Sequence, residues 1–153
     1  MEAGIAGGQV AGVHLVGAVL IADLTGFGRL TEAEGDEAAA EVAIRFAALV
    51  REALAPGERL VKTLGDGVLV VSPDVGTARA TAARIRHRVA ADGSLPPVHA
   101  GVRAGTVVWR DGDVFGAAVN DAARLAEAAG PWEIAEAAPP GFPSRPLVLD
   151  LSE

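Results

Sequence analysis

Three observations predict an α+β fold. Apolar runs of strand length alternate with helix-period segments, Gly- and Pro-bearing turns separate them, and two strands are joined by a hairpin-length turn. The first strand is read over 15–22 (LVGAVLIA), a β-branched apolar run typical of a buried strand. It ends at Asp23-Leu24-Thr25-Gly26-Phe27-Gly28, a glycine-bearing turn. One long helix is expected next, with Ala39, Val42, Phe46, Leu49 and Ala53 on one face and Ala55-Pro56-Gly57 as its stop. Arg59–Leu64 and 68–72 read as a hairpin around Gly65-Asp66-Gly67. A second helix over about 75–91 buries Ala78, Ala82, Ile85 and Val89. A long strand over 98–109 contains Gly101 and Gly105, which signal a bulge or a close backbone approach. Asp111-Gly112-Asp113 then turns the chain into a third helix over 117–129, and 132–135 reads as a short strand. Strand, helix, hairpin, helix, strand describes a split βαβ, ferredoxin-like layout, with helices packed on one face of a mainly antiparallel sheet.

At 153 residues the chain is expected to form one domain over 13–153, preceded by a flexible Gly- and Ala-rich leader over 1–12. There is no cysteine, which excludes disulfides and thiolate metal sites and fits a reducing cytoplasm. The formal charge is −7, and the basic residues cluster only at Arg84, Arg86 and Arg88, expected along a solvated helix face. No nucleic-acid partner is expected. No secretory signal is visible, and the apolar stretch that ends at Asp23 is too short to cross a bilayer, so no membrane association is expected.

Several residues carry chemistry. Lys62 is the sole lysine beside twelve arginines, and it stands four residues before Asp66 in an otherwise apolar run. It reads either as a strand-edge lysine reaching water or as a binding group beside a metal ligand. Asp23 ends the first strand and Asp66 sits at the hairpin tip, so neighbouring strands would bring the two carboxylates to one sheet edge. Paired carboxylates suit Mg²⁺ or Mn²⁺, and two such ions serve phosphoryl chemistry. The alternative is a helix cap at Asp23 and an ordinary turn aspartate at Asp66. Asn120 and Arg124 stand four apart, on one face of the third helix, able to reach one ligand together. Pairing of Arg124 with Asp121 or Glu127 is the competing possibility, weakened by an inward-looking Asn120.

The segments IADLTGF (21–27), VKTLGDGVLVV (61–71), AGVRAG (100–105) and DGDVFGAAVNDAARLAEAAG (111–130) resemble the class III nucleotidyl cyclases, in order and spacing over about 14–135. The resemblance implies a homodimer that converts a nucleoside triphosphate to its 3′,5′-cyclic monophosphate and pyrophosphate. It implies two metal ions per site, held by Asp23, the Leu24 carbonyl and Asp66. Lys62 and Asp113 match the purine-selecting pair: Lys donates to adenine N1 and Asp accepts from the N6 amine, which favours ATP over GTP. Asn120 and Arg124 match the residues that orient the ribose and stabilise the pentacovalent phosphate. Metal ligands are expected from one chain, and the other four residues from its partner.

Two departures accompany this match. His99 stands where the family often carries a triphosphate-binding Arg, and the C-terminal end is short and lacks the usual phosphate-binding Lys, with Arg145 as a substitute. Weak ATP binding or slow turnover is therefore expected. A regulatory, nucleotide-holding module without turnover is the alternative, and a cyclase for another nucleotide is disfavoured by Lys62 and Asp113. No GxGxxG or Walker A loop is present, and LGDGV stands where a diguanylate cyclase would show a GG[DE]EF-type hairpin.

Overall fold

The computed structural model describes residues 12–137 and the backbone of 5–6 and 9–10. Within the expected leader, β1 (Ile5–Ala6) and β2 (Gln9–Val10) pair as a minimal antiparallel ladder. The rest of that leader, the Pro-rich segment after 137 and Arg145 lie outside the described residues.

β3 (Val13–Leu24) is longer than its apolar centre suggests, because both flanks pair with neighbours. The chain continues through α1 (Phe27–Glu34), α2 (Asp36–Ala53), β4 (Arg59–Leu64), β5 (Gly67–Ser72), α3 (Val75–Asp92), β6 (Val98–Arg110), β7 (Asp113–Phe115), α4 (Ala117–Ala128) and β8 (Ile134–Ala137). The sheet order is β4-β5-β3-β6-β7, antiparallel throughout, with β8 parallel on β6. The first four of these strands have the split βαβ order expected from the sequence.

Two local expectations are corrected, a third is narrowed to one of its two alternatives, and one strand is new. The single helix after β3 is two, because Gly35 adopts φ 92° and ψ 168°, which ends α1 and starts α2. The ladder of β3 with β6 runs without a bulge from Val13–Trp109 to Leu24–Val98, so Gly101 and Gly105 mark close approach alone. The sheet irregularity falls in β4, where the register shifts between Leu60 and Lys62. β7 was not foreseen, and the strand expected over 132–135 runs instead from Ile134 to Ala137 because Trp132 turns at φ 67°.

The pleat divides the apolar residues between two faces. Leu20, Ala22, Val68, Val70 and Val102 meet Phe46, Val50, Ala82, Ile85 and Val89 of α2 and α3. Val19, Ile21, Leu69, Val71 and Val107 face the other way, toward Ala118, Ala122 and Ala126 of α4. The helices therefore cover both faces, where one was expected. Glu58 joins the first layer: its carboxylate accepts from Ala55 N at 2.9 Å, Thr81 Oγ1 at 2.6 Å and Ser72 Oγ at 2.7 Å, which satisfies the buried hydroxyls of Ser72 and Thr81. Arg84 donates to Thr81 Oγ1 and to the Ala53 carbonyl, so it braces α2 against α3 where a solvated position was expected.

α4 lies against β6 with almost no space between backbones. A Cβ on Gly101 would collide with the Ala122 carbonyl and the Ala126 amide and lie 2.8 Å from Leu125 Cβ; one on Gly105 would lie 2.9 Å from Ala118 Cβ. Gly101→Ala is expected to force α4 outward and cost about 1–3 kcal/mol by overpacking, checked by urea denaturation.

Arg79 of α3 grips Glu136 of β8 through two hydrogen bonds, 2.7 and 2.6 Å, and this contact holds the Glu136 carboxyl below its usual range. A carboxyl depressed in the folded state stabilises above its unfolded pKa and loses that contribution as pH falls through the folded value. Both side chains are partly solvated, which limits the effect to about 1 kcal/mol or less. Arg79→Ala is expected to lower the thermal midpoint at pH 7, with the difference from wild type closing below about pH 4.

Candidate functional site

Asp23 lies at the centre of the sheet edge, opposite Gly67 of β5 on one side and His99 of β6 on the other. Its carboxylate lies over Gly67: a Cβ there would collide with Asp23 Oδ1 and lie 2.9 Å from Cγ. The glycine after Asp66 is thus required for the carboxylate to take this place. Asp66 itself occupies the hairpin tip, beside Gly65 at φ 68°. Burial pushes the Asp23 pKa up, the Asp66 and Glu127 charges push it further, and His99 partly opposes them. The sequence expectation that strand neighbours bring Asp23 and Asp66 to one edge is met.

Among the described residues, no three His, Asp or Glu side chains form a metal cage. Two carboxylates, with the Leu24 backbone beside them, present an oxygen-only donor set that suits Mg²⁺ or Mn²⁺ with water and ligand oxygens completing the shell. Leu24 buries its side chain in the α2–α3 layer, so only its backbone is available to such an ion. Burial first, and the nearby Asp66 charge second, raise the Asp23 pKa, and a divalent cation would offset both. These residues fit the ion.

Next to them, Thr25 Oγ1 is buried without a hydrogen-bond partner, and α1 starts at Gly26 (φ 76°) with no side-chain cap. An uncapped helix N-terminus presents free amides to an anion. In the sequence, the glycines of Thr25-Gly26-Phe27-Gly28 are the only trace of this feature.

Lys62 and Asp113 meet across the sheet. Their strands are opposite edges of the order, yet β4 and β7 touch, and Lys62 Nζ donates to Asp113 Oδ2 at 2.9 Å. The β4 irregularity is the local cause: Val61 is the extra residue, and Lys62 pairs with Leu69, whose side chain faces the α4 layer. The Lys62 hydrogen bond holds the Asp113 carboxyl below its usual range, and Asp113 Oδ1 also accepts from Val114 N at 2.7 Å.

α4 carries Asn120 and Arg124 on its surface. Asn120 is exposed, which corrects the inward-looking position expected for it. Arg124 Nη1 donates to Asp121 Oδ1 at 2.8 Å, the pairing weighed as the alternative in the sequence. His99 places Nδ1 2.5 Å from the Ala126 carbonyl of the same helix. The structure thus brings together Asp23 with Asp66, and Lys62 with Asp113. No hydrogen bond or ion pair among the described residues joins either pair to Asn120 or Arg124.

Comparison with known proteins adds three likenesses. A pH-sensitive adenylate cyclase of Mycobacterium tuberculosis (strain CDC 1551 / Oshkosh) is 39% identical over 137 residues, 87% of this chain and 34% of that protein. An adenylate cyclase of Streptomyces griseus is 43% identical over 108 residues, 70% of this chain and 27% of that protein. A solved adenylate/guanylate cyclase/hydrolase of Silicibacter pomeroyi superposes with a TM-score of 0.63 at 29% identity, covering 80% of this chain and 75% of that one. No family model matches the chain. The chain spans about a third or less of the length of the two curated relatives.

Gly67→Ala tests the seat of Asp23. The carboxylate can rotate away from the new methyl, so stability is expected to fall by about 1 kcal/mol or less, well below the loss for Gly101→Ala. Calorimetry with Mn²⁺ is expected to show weakened binding in the same variant.

Proposed function

From the premise that this chain belongs to the class III nucleotidyl cyclase family, we propose that it converts ATP to 3′,5′-cyclic AMP and pyrophosphate as one half of a homodimer. The observation that carries the choice of ATP is the pairing of Lys62 Nζ with Asp113 Oδ2, one donor and one acceptor side by side at 2.9 Å. Adenine offers the complementary acceptor at N1 and donor at N6, whereas guanine offers a carbonyl and a ring N–H that leave both groups mismatched. In the absence of nucleotide the two side chains satisfy each other.

The ribose 3′ hydroxyl gives up its proton to solvent as its oxygen attacks the α-phosphorus, the bond from that phosphorus to the bridging oxygen breaks, and pyrophosphate leaves with the electron pair. Asp23 and Asp66 would hold Mg²⁺ or Mn²⁺, two ions per site, which would supply charge neutralisation for the attacking and leaving oxygens. The uncapped start of α1, with Thr25 Oγ1, lies beside these carboxylates and suits the triphosphate. Asn120 orients the ribose, and Arg124 meets the charge that grows on the α-phosphoryl group; losing such a contact costs about 10²–10³ in rate.

Separation of the groups within one chain supports a site shared by two chains. Asp23 and Asp66 of one copy would face Lys62, Asp113, Asn120 and Arg124 of the other, and C₂ symmetry would build two such sites. Phe115, beside Asp113 on β7, leaves half of its surface in water, an apolar group suited to burial by the second copy. Among the described residues no helix is long and apolar enough to cross a membrane. Use of ATP and the lack of cysteine agree with a cytoplasmic setting.

A second reading, a nucleotide-holding regulatory module, is favoured by two observations. His99 spends Nδ1 on the Ala126 carbonyl, and Lys62 is the single lysine of the chain, so positive charge for the outer phosphates is scarce. One assay decides. The purified chain is incubated with ATP, GTP, CTP or UTP and Mn²⁺ or Mg²⁺, and products are identified by mass spectrometry. Cyclic AMP from wild type and none from Asp66→Ala is the expected result; no cyclic product from a folded dimer establishes the module instead. Mixing Asp23→Ala with Arg124→Ala is expected to restore partial activity through one intact site per mixed dimer, and silence from a verified heterodimer would falsify the shared site.

A further inference from the structure

Two guanidinium groups share one carboxylate on α4. Arg103, on the central part of β6, places Nη2 3.1 Å from Asp121 Oδ2 with 18% of its side chain exposed. Arg124 places Nη1 2.8 Å from Asp121 Oδ1 with 74% exposed. These residues, with Leu125, Ala128 and Ala137, line an open pocket of about 280 Å³. The inner guanidinium is fixed by the sheet, and the outer one is nearly free in water.

We propose that Asp121 is a positioning residue for Arg124, anchored from below by Arg103; the inference rests on the reading of Arg124 given above. Helical side chains lean toward the N-terminus, so Arg124 lies over the preceding turn, which carries Asn120 and Asp121. An unpaired arginine there would spread over many rotamers. The charge-assisted bond to Asp121 narrows that spread and keeps the guanidinium above the turn that holds Asn120. Asp121 can serve this way because Arg103 fixes its other oxygen. The same anchor lets Arg124 go at little cost: when the guanidinium turns to a phosphoryl group, Asp121 keeps Arg103 as its counter-ion. No unpaired carboxylate is then left beside an anionic substrate.

The test is steady-state kinetics of the full chain with ATP and Mn²⁺, with thermal melting of every variant. Asp121→Asn keeps the shape and removes the charge. It is expected to lower kcat about tenfold while KM stays within about twofold, as for a displaced catalytic group. Asp121→Glu is expected to restore part of the loss, and Asp121→Asn is expected to add nothing in an Arg124→Ala background. If Asp121→Asn melts below the assay temperature, Arg103→Gln carries the same test from the anchor, with the same split between kcat and KM. An unchanged kcat in Asp121→Asn beside a crippled Arg124→Ala overturns this inference alone, as do losses that multiply in the double variant. Full activity of Arg124→Ala, or no turnover in wild type, overturns the reading of Arg124 and this inference with it.

Discussion

The approach of α4 to β6 at Gly101 and Gly105 governs most of what the chemistry needs. With no Cβ at Gly101, the helix backbone at Ala122 and Ala126 settles directly on the strand. That contact fixes the height and rotation of α4, and every functional group on or under the helix follows from it. His99 reaches the Ala126 carbonyl, Arg103 reaches Asp121, and Glu127 comes close enough to Asp23 to raise its pKa. All of these belong to the α4 face of the sheet. A larger residue at 101 would move them together, and packed interiors do not absorb such a shift smoothly.

The opposite edge of the sheet is set by a different device. Regular alternation along β4 would place Val61, not Lys62, opposite Leu69. The extra residue between Leu60 and Lys62 brings the ammonium onto the α4 face, where the β6–β7 arm presents Asp113. Arg59, on the same strand, lies 5.0 Å above the Trp109 ring of β6, a second tie between the edge and that arm. One inserted residue therefore converts an ordinary edge lysine into half of a donor–acceptor pair.

Much of this fold was legible because each element carries its own period. The apolar part of the buried face of α3 is legible because Ala78, Ala82, Ile85 and Val89 recur at helical spacing, whereas the buried Thr81 is not. β5 and the centre of β3 were legible as apolar runs rich in β-branched residues. Gly35 was not, because a glycine inside a helix-period stretch looks the same whether it is tolerated or breaks the helix. The β4 bulge was equally hidden: it is a property of pairing with β5 and leaves no mark in Leu60-Val61-Lys62. At the site, the meeting of Asp23 with Asp66 followed from topology. The Asp121–Arg103 contact did not, since it joins residues eighteen positions apart through the packing of α4 alone.

The three groups proposed as the site rest in different electrostatic states, a difference that would favour ligand entry. Lys62 with Asp113 and Arg124 with Asp121 are partly exposed ion pairs, each worth about 0–1 kcal/mol. Exchanging either for contacts with a nucleotide therefore sacrifices little. Asp23 with Asp66 is the reverse case: like charges, one of them half-buried, held together by the strands at a free-energy cost. A cation arriving there removes a repulsion and breaks no existing bond. On the proposed reading, binding would relieve the single frustrated group and dissolve only weak pairs, on a frame already set by the packing of β3, β5 and α4.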